Sequence, residues 1–121
     1  MGDDLTKKII GAAIEVHRIL GPGLLEGIYE KALPHEFGHR MIAVQREIDV
    51  GVCSKDVVIT GPRLDRWFEN EVVIELKSLS RLPEVAVAQV ISYLKATHLK
   101  RGLLINFGES FLKNEIKRIS L

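Results

Sequence analysis

One short run near the middle of the chain, Val72 to Lys77 (VVIELK), limits the possible folds more than any other stretch. Six residues so rich in β-branched and apolar side chains read as a strand. Side chains alternate faces along a strand, so Glu75 and Lys77 share one face while Ile74 and Leu76 share the other. An acid and a lysine on a half-buried strand face cost several kcal/mol unless they are paired or bind a metal. Asp65 stands ten positions before Glu75, within RLDRWFENEVVIELK. Asn70 is a good turn residue, so this segment is expected to fold back as a hairpin, and one loop it could use is Glu69-Asn70-Glu71. That loop sets Asp65 directly opposite Glu75, with Cβ atoms roughly 4.5–5.5 Å apart, near enough for both carboxylates to hold one cation.

The rest of the chain supplies a frame for such a hairpin. Asp3 or Asp4 is expected to cap a first helix with Ile9, Ile10, Ala13, Ile14, Val16 and Leu20 facing the core, and Gly21-Pro22-Gly23 ends it. A second helix is expected from Leu24 or Leu25, carrying Glu26, Tyr29, Ala32, Leu33 and Phe37. Pro34 and Gly38 predict a kink in it or an early end. Ala43 to Val52 alternates as a half-buried strand, Lys55 to Ile59 reads as a short second strand, and Thr60-Gly61-Pro62 turns into the hairpin. Pro83 to Thr97 reads as a helix with Pro83 in its first turn. GLLINF, Gly102 to Phe107, is the continuous apolar run of a buried strand. The tail is expected to form a short turn or helix and then an edge strand over 116–121. The expected class is α/β, a central mixed β-sheet flanked by helices, and 121 residues suit one domain spanning 1–121.

Composition narrows function less. The net charge of +1 gives no global support for a polyanionic partner, although a local basic patch is compatible with it. Cys53 is the only cysteine, which excludes a disulfide framework and fits a reducing, cytoplasmic setting; beside Ser54-Lys55-Asp56 it reads as an inert thiol. No run approaches membrane-spanning length.

The chemistry lies in Asp65, Glu75 and Lys77, which match the D…(D/E)-x-K core of metal-dependent nucleases. Two hard carboxylate oxygens and the intervening Leu76 carbonyl suit Mg²⁺ (or Mn²⁺), which keeps several waters. One water can be acidified for in-line attack on phosphorus, and Lys77 can orient it or stabilise the charged transition state. Gln89 and Tyr93, spaced i, i+4, share a helical face. A helix packed on the E-x-K strand would let Gln89 reach the water or a phosphate and Tyr93 donate to the scissile backbone. The plain alternatives are a surface ion pair, a solvated Gln89 and a core Tyr93. Glu26 and Tyr29 share a face of the second helix; Glu26 either completes an acidic cluster or favours the positive helix N-terminus.

Gly23-Leu24-Leu25-Glu26-Gly27-Ile28-Tyr29 reads as G-x-x-E-x-x-Y, and the chain resembles the GxxExxY protein family, itself similar to the PD-(D/E)xK nuclease superfamily. The resemblance spans the opening helix, GPGLLEGIYEKAL, Asp65, VIELK, the Gln89-x-x-x-Tyr93 pair and GLLINF. It implies a restriction-endonuclease-like core and a metal-dependent nuclease that hydrolyses DNA. Glu26, Asp65 and Glu75 would be metal-site acids, with the Leu76 carbonyl as a further ligand. Lys77 would be the catalytic lysine and Gln89 and Tyr93 supporting residues. A catalytically silent binding module of the same fold is the alternative. The small size predicts a homodimer or a larger partner for gripping nucleic acid. One departure is Arg66-Trp67-Phe68 after Asp65, where the family pattern is apolar.

A rival motif sits in the second helix. His35-Glu36-Phe37-Gly38-His39 is a literal H-E-x-x-H, the zincin signature of a zinc metallopeptidase. Pro34, Gly38 and the lack of an evident third ligand weigh against that enzyme, leaving incidental zinc or nickel binding by His35 and His39. His17 and His98 read as surface or satisfied histidines.

Overall fold

The computed structural model describes residues 2–48, 52–54, 57–59, 65–69 and 72–121. Helices α1 (Gly2–Leu20) and α2 (Glu26–His39) come first, then strands β1 (Gln45–Ile48), β2 (Val52–Ser54), β3 (Val57–Ile59), β4 (Asp65–Glu69) and β5 (Val72–Lys77). Helix α3 (Glu84–Thr97), β6 (Arg101–Asn106), a 3₁₀ turn (Leu112–Glu115) and β7 (Ile116–Ser120) complete the order. Five strands form one mixed sheet in the order β1-β4-β5-β6-β7, and β2 pairs with β3 separately. The turn Thr60-Gly61-Pro62 lies outside the described residues.

Alternation along VVIELK sorts the layers. Val72, Ile74 and Leu76 join Leu103, Ile105 and Phe107 in a core closed by α1 and α2 through Ile9, Ala13, Val16, Tyr29, Leu33 and Phe37. Val73 points to the other side and joins Leu104 and Ile119 beneath Ala86, Val90 and Leu94 of α3. The sheet is therefore sandwiched, with two helices on one face and one on the other. β5 and β6 run parallel, which requires a crossover connection, and α3 supplies it. Gly102 lets that helix settle: a Cβ there would lie 2.9 Å from Val90 Cγ1.

Two expectations need correction. Helix α2 does not end early at Pro34 but runs to His39. A proline removes one backbone hydrogen bond, yet Tyr29, Leu33 and Phe37 are buried at four-residue spacing on either side of it. That anchoring outweighs the missing bond, and the helix ends only where Met41 turns left-handed at φ 57°. The hairpin register is the second correction. The pairs are Trp67 with Ile74, Phe68 with Val73 and Glu69 with Val72. Glu69 thus belongs to β4, and two residues rather than three separate the paired positions. Carrying this register outward sets Arg66 across from Glu75 and Asp65 across from Leu76. On the other edge of β4, Arg66 has Glu47 as its register partner and Asp65 has Ile48.

Among the described residues no helix is long and apolar enough to cross a membrane.

Candidate active site

β5 carries Glu75 into the interior, where it is 2 % exposed, and brings Lys77 to a half-buried position at the strand end. Because Val73 belongs to the α3-side core, alternation puts Glu75 and Lys77 on that same face. A carboxylate so deep is costly unless its surroundings compensate the charge.

Five hydrogen bonds fix that strand end. The Phe107 N–H donates to the Lys77 carbonyl at 2.8 Å. Asn106, fully buried at the end of β6 and paired with Lys77 in register, reaches across the gap. Its Oδ1 accepts from the N–H groups of Leu79 at 2.9 Å and Gly108 at 3.0 Å, and its Nδ2 donates to the Leu79 carbonyl at 3.0 Å. The amide side chain thus behaves as an added peptide group. Ser78 Oγ donates to the Leu24 carbonyl, tying the residue after Lys77 to the loop before α2. Gly108 closes the corner: a Cβ would stand 1.9 Å from the Leu79 carbonyl oxygen, a position only glycine tolerates.

The loop preceding α2 is shaped for this meeting. Gly21 and Gly23 adopt φ of 78° and 80°, a left-handed region that favours glycine. The Gly23 N–H donates to the Phe107 carbonyl at 3.1 Å. Tyr29 is fully buried and stacks on Phe107 with centroids 4.2 Å apart and planes at 11°. Its hydroxyl donates to the Gly21 carbonyl at 2.6 Å and accepts from the Leu24 N–H at 3.1 Å. The G-x-x-E-x-x-Y spacing therefore has a mechanical meaning. Glycine makes the turn, tyrosine latches it, and Glu26 between them becomes the first residue of a helix starting beside the carboxyl ends of β5 and β6. In open α/β sheets that end is where ligands bind.

Of the predicted residues, Glu75, Leu76, Lys77 and the Glu26 segment are drawn to one strand end. Gln89 and Tyr93 are half-buried on α3, on the sheet face that also bears Glu75 and Lys77. That helix lies across β6 and β7 rather than directly on the E-x-K strand, because Gly102 of β6 is the low point that admits Val90 and Leu94. Asp65 opens β4 one register step from the expected position. Among the described residues no group of three or more His, Cys, Asp or Glu side chains stands ready to hold a metal ion. The donors at this end of β5 are oxygens only, the Glu75 carboxylate and the Leu76 carbonyl, with the acids Glu26 and Asp65 on adjoining segments. Such a set fits a hard cation of the Mg²⁺ or Mn²⁺ kind.

The zincin residues are on a helix as that motif requires, but their glutamate is committed elsewhere: Glu36 Oε2 lies 2.7 Å from Arg40 Nε. His35 and His39 project to solvent. His17 is satisfied, its Nε2 standing 2.8 Å from the Glu109 carbonyl, and His98 caps α3 in a left-handed conformation at φ 61°.

Asn106, Ser78 and Gly108 are the site's builders that motif reading passes over. Their signal is faint: one amide at the end of an apolar strand, followed two residues later by glycine.

The model of a family described as the PD-(D/E)XK nuclease superfamily matches residues 3–119. No curated protein and no solved structure matches the chain.

Proposed function

This chain belongs to the PD-(D/E)XK nuclease superfamily and has its restriction-endonuclease-like α/β fold; from that premise we propose a nuclease that hydrolyses DNA phosphodiesters with a divalent cation, Mg²⁺ or Mn²⁺. The observation that carries this reading is the buried Glu75 sharing a sheet face with Lys77 at a strand end clipped in place by Asn106 and Ser78. Glu75 and the Leu76 carbonyl would hold the cation, with Glu26 as a further acid from the start of α2; Asp65, which the register sets across from Leu76 and not from Glu75, would join them only through a bend at the start of β4. When bound, the cation supplies Lewis acidity toward water and neutralises phosphate charge. Lys77 is the residue that orients the attacking water and offsets the charge developing on the pentavalent phosphate oxygens. Gln89 and Tyr93 supply hydrogen bonds to the phosphate backbone from α3. The α2 loop and the β6 end restrict how far Lys77 can drift, and small misplacements in such sites are expensive in rate.

The test is cleavage of single- and double-stranded DNA, with RNA beside them, in Mg²⁺ or Mn²⁺. Turnover lost in Glu75→Ala and Lys77→Ala, and reduced in Asp65→Asn, is the expected result. Equal activity in wild type and both alanine variants overturns the assignment. Folded protein that binds DNA but never cleaves it would favour the silent binding module. We further propose a homodimer or a larger partner to supply grip on nucleic acid; a monomer by light scattering at micromolar concentration excludes the dimer.

A further inference from the structure

We propose that His35 and His39 form a second metal site, selective for borderline transition-metal dications such as Zn²⁺, Ni²⁺ and Cu²⁺ and separate from the oxygen donors of β5. The two Nε2 atoms stand 3.3 Å apart, with ring planes at 85° and centroids 4.8 Å apart. Metal–imidazole bonds of roughly 2.0–2.1 Å place two such nitrogens at a ligand–metal–ligand angle of about 107°, close to tetrahedral. The nitrogens therefore already have the spacing that one shared ion demands. In the metal-free pair one ring N–H donates to the lone pair of the other. An ion takes the place of that hydrogen once each ring carries its proton on Nδ1 and small ring rotations aim both lone pairs at one point.

The scaffold under this pair is rigid. Leu33 and Phe37 of the same helix are buried to 1 % exposure or less, so the opposite face presents both histidines outward without further folding. Among the described residues no third His, Cys, Asp or Glu joins the pair, so the site binds metal without the ligand set of a peptidase centre. Two protein ligands leave the remaining positions to water or to an outside donor. His35 also lines a cavity of about 450 Å³ between α1 and α2, with Val16, Leu20 and Ile28 among its walls. An ion there would sit at the rim of that groove and close the last turn of α2.

Imidazole favours Zn²⁺, Ni²⁺ and Cu²⁺ over Mg²⁺ and Mn²⁺, with Cu²⁺ the tightest. The experiment is calorimetric titration of the full chain, without a polyhistidine tag and after chelator treatment, with Ni²⁺, Zn²⁺ and Mg²⁺. One Ni²⁺ or Zn²⁺ per chain is expected, weakened at least about tenfold in His35→Ala and in His39→Ala because a bidentate grip becomes monodentate. Mg²⁺ gives no signal that these variants change. In a Glu75→Ala background, which removes any Ni²⁺ taken by the oxygen donors of β5, the step lost in His35→Ala and His39→Ala remains, so the outcome is independent of whether the protein is a nuclease. Thermal unfolding adds a second reading: Ni²⁺ raises Tm of the wild type and not of His39→Ala. Unchanged Ni²⁺ affinity in both alanine variants, or no Ni²⁺ or Zn²⁺ binding by the wild type, overturns the proposal.

Discussion

Replacing Asn106 by leucine tests how the strand end beneath the candidate site is held. The amide makes three hydrogen bonds, two accepted by Oδ1 from Leu79 and Gly108 and one donated by Nδ2 to Leu79. Leucine has a similar bulk and none of these groups, so packing at this fully buried position changes little while all three bonds disappear. A typical intramolecular hydrogen bond contributes about 1 kcal/mol net, and a stranded buried partner costs about 1–3 kcal/mol. Leu79 is itself partly open to solvent, being 41 % exposed, so water can rescue some of its groups and the lower figure applies. The expected loss is about 3 kcal/mol. Against a domain stability of roughly 5–15 kcal/mol that is a large fraction. For a chain of this size it lowers Tm by about 10 °C. Chemical denaturation and scanning calorimetry of Asn106→Leu beside wild type read both quantities. Leu104→Val is the control, since it trims the same strand's core by one methylene without touching the clip. If Asn106→Leu unfolds within about 0.5 kcal/mol of wild type, a value typical of neutral surface changes, the amide clip does not hold the strand end.

Other outcomes follow from the same geometry. Tyr29→Phe keeps the stack on Phe107 but removes the hydroxyl that bridges Gly21 and Leu24, costing about 1–2 kcal/mol in denaturant unfolding; cleavage rate should fall with it, because the Glu26 segment loosens. Gly108→Ala drives a Cβ against the Leu79 carbonyl oxygen and should fall outside the usual 0.5–3 kcal/mol range of single substitutions, seen as loss of soluble folded protein. Glu75→Gln keeps the shape of the buried side chain and removes its charge, so circular dichroism should show a folded protein whose nuclease turnover is gone. Chelator should abolish that turnover in the wild type and Mg²⁺ or Mn²⁺ restore it; activity that survives chelation contradicts the metal assignment.

The element order was legible because period and punctuation agreed. VVIELK, GLLINF and the tail strand stand within a residue or two of their expected places, and Pro83 marks the start of α3. Two expectations failed where a local signal met a tertiary one. Pro34 is a breaker in isolation, but buried residues on both sides hold α2 together. Asn70 pointed to a turn without fixing its length, and one residue of loop moves every partner along a hairpin by one. Hence Glu75 and Lys77 were placed by their own strand, whereas the partner of Glu75 on β4 was not. The clip residues were invisible for a different reason: Asn106 and Ser78 act on backbone groups of loops, and no periodicity encodes which carbonyl a side chain will meet.

The corner built by Asn106 and Gly108 has an evolutionary consequence. An acid is retained for its chemistry, whereas at Gly108 any added Cβ would stand 1.9 Å from the Leu79 carbonyl oxygen, so the backbone itself admits no substitute. If the proposed cleavage holds, members of this fold that lack it should have lost counterparts of Glu75 and Lys77 and retained N-x-G after the parallel strand. A search for distant kin keyed to that corner, instead of to the acid-x-lysine pair, would recover the silent branches together with the active ones. The order in which the two signatures decay would then date when a lineage gave up its chemistry.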